Sequence, residues 1–345
     1  MLGEMDVFVR DAWYVGAWAS ELDEGMVART ILGDPIIFFR GQDGQAAALQ
    51  DRCPHRLVPL SMGKLENGIV QCAYHGMQYD HSGKCVHIPS QEQIPSNARV
   101  GAYPIVERDK LIWIWMGRPE QYNPTLIPRM HWLDDPEWGA KGTLFTVACN
   151  WRLILDNLMD LTHLTFVHGG TIGNADVTKK STMRAERVDE SHVRVTRLQE
   201  SVQPPPTYVR ARGYKGLIDR WQIINYTFPS TIRLDLGAAD EGTDARENGH
   251  PSRARFQNIN LITPETEKRT HYFWAHAHDF TPSDADVTEM IFQEVRRTFL
   301  EDVDIFEAQQ KVREQYGALQ TVDLAADRGG VHVRKMIDNA LKTAA

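Results

Sequence analysis

Cys53-Pro54-His55 and, sixteen residues further on, Cys72-Ala73-Tyr74-His75 each offer one thiolate and one imidazole. A structural zinc site usually takes paired cysteines from one loop, or a cysteine pair and a histidine pair. Here each loop carries one of each. That division suits a [2Fe–2S] cluster in which two cysteines hold one iron and two histidines hold the other. Neutral imidazoles replace two thiolates, so the cluster carries less negative charge and has a higher reduction potential than an all-cysteine cluster. It would accept electrons from a ferredoxin-like donor and pass them on. A zinc knuckle, or two surface histidines near two core cysteines, is the alternative reading of the same residues.

Around these segments, up to about residue 120, short strands alternate with tight turns. Examples are 36–39 (IIFF), 46–49 after Gly41-Gln42-Asp43-Gly44, and 69–72; strands 77–79 and 85–87 flank His81-Ser82-Gly83-Lys84. Both ligand segments therefore fall at turns. Pro54 fixes its own φ, and Gly76 is expected to let the backbone pass close to the cluster. Leu111–Met116 (LIWIWM) reads as a buried strand and is far too short to span a bilayer.

Residues 119–142, rich in Pro, Gly and Trp, lead into a different pattern. Apolar Leu155, Leu158, Met159, Leu161 and Leu164 predict a helix over 151–167. Alternating strands follow over 193–278, interrupted by Pro204-Pro205-Pro206 and the polar stretch 240–253. A long helix over 284–316 and a shorter one over 331–342 close the chain. A sheet with long helices against one face is an α+β arrangement. The expected division is an all-β cluster domain over 1–120 and a second domain over 121–345.

The 345 residues carry a net charge of −8 with no basic run, which argues against nucleic acid or an anionic membrane as partner. Two of the four cysteines belong to the cluster loops, leaving Cys85 and Cys149 as ordinary packed thiols. The opening residues 1–6 have no basic region or apolar stretch of signal length. A cytoplasmic protein with reduced thiols is the expectation.

A second constellation lies in 156–168. His163 and His168 are five apart and reach one metal only if the helix end distorts between them. Two histidines and one carboxylate form the facial triad of Fe(II) sites that keep positions open for O2 and water. Packing or capping is the bland role for both. For the carboxylate, 299–307 (FLEDVDIFE) offers four acids. Asp302 has Phe299, Val303, Ile305 and Phe306 as core-facing neighbours, and a carboxylate on an apolar face needs a metal or a partner, so Asp302 is chosen. Asp304, Glu301 and Glu307 read as solvated helix acids, the last two with Arg297 and Lys311 as available partners. Asp160, three residues before His163, is assigned to hydrogen-bond that ring rather than to bind iron. Asn157 is a further expected site residue, whereas His87, His192, His250, His271, His276 and His278 have no partner spacing and read as surface or strand histidines.

Along nearly its whole length the chain resembles the oxygenase component of Rieske non-haem iron oxygenases, most closely the vanillate and dicamba O-demethylase branch. The residues that carry the resemblance are the two cluster loops, the triad, Ala12-Trp13-Tyr14-Val15, 156–163 (DNLMDLTH), 263–266 (TPET) and Gly329-Gly330-Val331. The resemblance implies a Rieske [2Fe–2S] domain held by Cys53, His55, Cys72 and His75, then a helix-grip (START-like) domain with one mononuclear Fe(II). It also implies a head-to-tail homotrimer in which Asp160 bridges His163 of its own chain to His75 of the partner subunit, because the two metal sites of one chain would lie too far apart. Electrons would come from NADH through a separate flavin and iron–sulfur reductase; this sequence has no nucleotide-binding fingerprint of its own.

The expected activity is O2-dependent O- or N-demethylation of a small aromatic compound. Asp235 and Asn260 are the expected substrate contacts, in a pocket lined from strands 221–262 and from the segment after His168. Ring hydroxylation or dihydroxylation, or oxidation of a methyl or thioether group, remains open on the same machinery. So do a Rieske electron carrier without catalytic iron and a zinc-binding module.

Overall fold

The computed structural model describes residues 8–173, 181–317 and 321–344. The chain divides into two compact units, one built from Arg10–Arg129 with Thr263–Thr266, the other mainly from Met130–Ile262 and the chain from Glu267 onward.

The first unit is all-β, with only short 3-10 turns beside its strands. Ala12–Trp18, Leu111–Met116 and Ile105–Arg108 form one sheet; Val27–Ile31, Asp34–Arg40 and Ala46–Gln50 form a second. Every residue of Leu111–Met116 is buried, as an unbroken apolar run requires. The third sheet, Lys64–Glu66, Ile69–Gln71, Gln78–Tyr79 and Cys85–His87, carries the second ligand loop between its middle strands. Cys53, Cys72 and Cys85 join a core that includes Ile37, Phe39, Leu49, Leu60, Val70 and Tyr79. Cys85 and Cys149 are both buried free thiols.

The second unit is a seven-stranded antiparallel sheet. Its strands are β1 (Gly139–Val147), β2 (Ser181–Arg187), β3 (His192–Val202), β4 (Ile218–Thr227), β5 (Thr231–Asp240), β6 (Ala254–Thr266) and β7 (Arg269–His278). Strands β2 to β7 run as a meander, and β1 lies beside β7. Trp221 of β4 faces Gly237 of β5, where a Cβ would sit 1.9 Å from the indole ring, so only glycine fits under that tryptophan.

The helices that accompany the sheet include α1 (Trp151–Leu158), α2 (Leu164–Val167), α3 (Pro206–Arg212), α4 (Ala285–Tyr316) and α5 (Arg328–Ala344). The Asp284 carboxylate caps α4 by accepting from the Asp286 and Val287 amides, which satisfies two of the free N–H groups at its start. Helix α4 lies on β1 and β7 through aromatic contacts: Trp274 stacks on Phe292 at 5.1 Å and meets Phe299 edge-on at 5.0 Å. Each such pair contributes about 0.5–1.5 kcal/mol beyond simple area burial. Helix α5 is fastened to α1 by Arg334, which donates to Asp156 at 2.8 Å, and by the Arg152–Asp338 pair.

The helix expected over 151–167 is interrupted: α1 stops at Leu158 and α2 starts at Leu164. The Asp160 carboxylate accepts from the Thr162 amide at 2.7 Å and from its hydroxyl at 2.8 Å. That local bond offers the backbone an alternative to the helical ladder. Among the described residues, no helix is long and apolar enough to cross a membrane.

Candidate active site

The two cluster loops share one construction. Each cysteine amide donates to the carbonyl five residues on, Cys53 to Val58 at 2.9 Å and Cys72 to Met77 at 2.8 Å. Each cysteine carbonyl accepts from the amide four residues on, from Leu57 at 3.0 Å and Gly76 at 3.1 Å. Those fourth residues are both left-handed, Leu57 at φ 61° and Gly76 at φ 71°. Glycine takes that conformation at no steric cost, whereas Leu57 adopts it with a side chain. The thiols point into the core, whereas the His55 and His75 rings are exposed and 4.4 Å apart. Burial and the neighbouring Cys53 raise the Cys72 thiol pKa, opposed by the amides of Tyr74 and His75. Two crowded thiols beside two converging imidazoles fit a cationic metal group in chemistry and in layout. The Tyr79 hydroxyl lies 3.2 Å from Cys53 Sγ. Hydrogen bonds to ligand sulfur raise a cluster's potential, so Tyr79→Phe should keep the cluster spectrum and lower its midpoint in a redox titration.

In the second unit His163 and His168 flank α2; the backbone between them is a helical turn that ends at His168, whose φ of −112° and ψ of 26° leave the helical region. One donor atom from each of His163, His168 and Asp302 falls within 4.8 Å of the other two. His168 Nε2 lies 3.2 Å from Asp302 Oδ1 and His163 Nε2 3.8 Å from it. Asp302 is buried on α4 between Phe299 and Phe306, and its Oδ1 also accepts from Asn157 Nδ2 at 3.2 Å. The three donors fit a divalent metal in the two-histidine, one-carboxylate pattern.

Glu301, expected to be a solvated helix acid, is instead a partner of this site. His168 donates through Nδ1 to Glu301 Oε2 at 2.8 Å. Burial works against protonation of His168, but Asp302 and Glu301 outweigh it and raise its pKa. The available signal was adjacency to Asp302: neighbours on a helix lie about 100° apart, enough for one acid to point inward and the next to reach the outer ring edge. Carboxylates holding a ligand histidine are worth about 10–100-fold in metal affinity. Glu301→Gln should weaken retention of the mononuclear metal by about that factor in a chelator competition.

Asp160 Oδ2 is 3.7 Å from His163 Nδ1, beyond hydrogen-bond length. Burial alone would raise its pKa, yet the facing His163 ring and the Thr162 amide and hydroxyl hold it below the usual carboxylate range.

The triad opens into a cavity between α1, α2, α4 and the sheet. Its apolar wall includes Leu158, Leu161, Leu164, Leu234, Leu236, Phe256, Val295 and Phe299, and its polar lining includes Asn157, Asp160, Arg220, Gln222, Asn258, Asn260 and His276. Asn260 thus lines the cavity, held by the Tyr272 hydroxyl at 2.7 Å and by its own bond to the Ile232 carbonyl at 3.1 Å. Asp235 does not line it. Strand alternation sends Leu234 and Leu236 inward and Asp235 to the other face, where it accepts from Trp221 Nε1 at 3.2 Å. Of the lining expected after His168, Ile172 is present, while 174–180 lie outside the described residues.

His276, expected to be an ordinary strand histidine, is a buried cavity residue. Burial, with His278 adding to it, pushes its pKa down to about 3, so the ring is neutral. It donates through Nδ1 to Asn258 Oδ1, leaving Nε2 buried without a partner. Arg220 Nε and Nη1 are likewise buried without partners. The Tyr208 ring lies 4.9 Å from that guanidinium. A desolvated cation–π contact contributes about 2 kcal/mol, less than the several kcal/mol that burying an ion costs. The readable signal was positional: alternation on β4 places Arg220 and Gln222 on the same inward face as Ile224 and Tyr226.

A mixed cysteine–histidine cluster site and a facial triad in an apolar cavity together define an iron-dependent oxygenase supplied with electrons by an iron–sulfur centre. Residues 12–101 match the Rieske [2Fe-2S] domain, and residues 147–343 match the vanillate O-demethylase oxygenase C-terminal domain. The chain is 38% identical over 339 residues to the toluene-4-sulfonate monooxygenase system iron-sulfur subunit TsaM1 of Comamonas testosteroni, covering 97% of this chain and 98% of the relative. It is 35% identical over 340 residues to the vanillate O-demethylase oxygenase subunit of Pseudomonas sp. (strain HR199 / DSM 7063), covering 97% and 95%. The crystal structure of dicamba monooxygenase bound to 3,6 dichlorosalicylic acid superposes with a TM-score of 0.91 at 33% identity, covering 98% of each chain. The chain belongs to the Rieske non-haem iron oxygenases, as an oxygenase component with a vanillate O-demethylase-type C-terminal domain.

Proposed function

We propose that this oxygenase component removes a methyl group from oxygen or nitrogen on a small aromatic compound. The observation that carries the reading is the His163–His168–Asp302 triad opening into a mainly apolar cavity. Cys53, His55, Cys72 and His75 would hold the cluster, within a domain spanning about 1–120, and the triad would hold the mononuclear iron within 121–345. When bound, the cluster supplies electrons and the iron supplies O2 activation. The protein binds and orients the ring and keeps water from it.

In the overall reaction one oxygen atom of O2 enters a methyl C–H bond. The other leaves as water, with two electrons and two protons consumed. The resulting hemiacetal or carbinolamine breaks down to formaldehyde and the free phenol or amine. Electrons would come from NADH through a separate flavin and iron–sulfur reductase. Asp160, whose carboxylate is partly open to solvent and faces His163, would carry them from His75 of the partner subunit in a homotrimer. The exposure of the His55 and His75 rings supports that role, and the buried free thiols support a reducing, cytoplasmic setting.

The relative named for toluene-4-sulfonate favours a second reading, oxidation of a ring methyl in the same site. A panel of methoxybenzoates, N-methyl aromatics and methylarenes, turned over with a surrogate reductase under labelled O2, separates the two. Formaldehyde release is expected; a labelled benzylic alcohol would favour methyl oxidation, and a cis-diol would overturn both.

A further inference from the structure

Arg220 is a buried cation of the cavity whose chemistry the oxidation itself leaves unused. It is 3% exposed, and no carboxylate pairs with it among the described residues. Its charged neighbours do not compensate it. Arg197 lies close enough that burial together with Arg220 pulls the Arg197 pKa down to about 10. Arg197 is itself committed to the Leu161 carbonyl at 2.7 Å. The two cavity carboxylates are engaged elsewhere, Asp302 with the histidines and Asn157, Asp160 with Thr162. The Tyr208 hydroxyl, on the ring that faces the guanidinium, is also buried without a partner. A cation held this way, with a second unpaired donor beside it, is organised for an anion that arrives from outside.

We propose that Arg220 receives the oxyanion of an arene carboxylate or sulfonate. The ring of that substrate would lie against Leu234, Leu236, Phe256 and Phe299, with its oxidisable group toward His163, His168 and Asp302. This assignment rests on the demethylase reading for its orientation, and adds that the substrate is an anion.

The test is calorimetric titration of the full chain, without reductase, using 4-methoxybenzoate, 4-methoxybenzenesulfonate and the neutral isostere 4-methoxybenzamide. At least one anion should bind about tenfold or more tightly than the amide, and the two anions distinguish carboxylate from sulfonate recognition. Arg220→Met should weaken anion binding by about thirtyfold or more, the range for removing one partner of a buried charge pair. It should leave amide binding unchanged and the melting temperature equal or higher, because a buried unpaired cation is removed. Arg220→Lys keeps the charge without the planar fork and should restore part of the preference. Equal binding of all three probes, no binding of either anion, or a preference that survives Arg220→Met overturns the assignment. Adding reductase and NADH separates the two claims. Anion-selective binding without formaldehyde keeps Arg220 and sinks demethylation, and formaldehyde from the amide as readily as from the anions does the reverse.

Discussion

Asp302→Ala is expected to leave the [2Fe–2S] cluster in place, to remove the mononuclear iron, and to abolish turnover. Asp302 Oδ1 is the atom that both ligand histidines approach, at 3.2 and 3.8 Å, and the triad has no spare carboxylate to replace it. Glu301 is the nearest alternative by sequence, but its carboxylate is held on the far nitrogen of the His168 ring, Nδ1, at 2.8 Å. The cluster ligands belong to the other unit of the chain, so the cluster's visible absorption should survive. Asp302→Asn keeps an oxygen that accepts from Asn157 and serves as the conservative control. Iron analysis reads the outcome as two irons per chain in the variant against three in the parent. Retention of the third iron in Asp302→Ala would remove Asp302 from the ligand set.

Asp160→Asn should separate metal content from turnover. The amide oxygen of asparagine still accepts from the Thr162 amide, so the break between α1 and α2, and with it the placing of His163, is preserved. What disappears is the negative charge 3.7 Å from His163 Nδ1, on the side chain proposed to link two subunits. Both metals should stay, the reduced cluster should form normally, and turnover with reductase should fall by about a hundredfold, the upper range for an outer carboxylate at a metal centre. The sharper readout is single-turnover reoxidation of the reduced cluster in the presence of O2 and substrate. It should slow in parallel with turnover. A variant that reoxidises and turns over like the parent would contradict a role for Asp160 in electron delivery.

Much of this site was legible because its chemistry is written in residue types that have few other uses at such spacings. One cysteine and one histidine in each of two loops point to a mixed-ligand cluster before any fold is known. Asp302 was recoverable because a charge amid Phe299, Val303, Ile305 and Phe306 conflicts with helix amphipathicity unless something compensates it. The break after Leu158 had no such signal: the five-residue spacing of the histidines asks for distortion between them, and the apolar repeat concealed an interruption that falls before His163. Glu301, His276 and Arg220 were harder. Each is set by which way a side chain turns within an element, and that depends on register across the sheet or on the angle of α4. Asp235 shows the same limit from the other side: it stands on the right strand, but a period of two places it on the opposite face. The paired loop geometry, with Leu57 and Gly76 at matching left-handed positions, had no signal at the leucine, because nothing in its chemistry announces a positive φ.

The most direct test of the whole account is the iron and acid-labile sulfide content of the purified chain, measured per polypeptide. A Rieske oxygenase component holding a cluster at Cys53, His55, Cys72 and His75 and a separate iron at His163, His168 and Asp302 should contain three irons and two sulfides. Two irons with two sulfides would reduce the protein to an electron carrier, and zinc without sulfide would contradict the cluster itself.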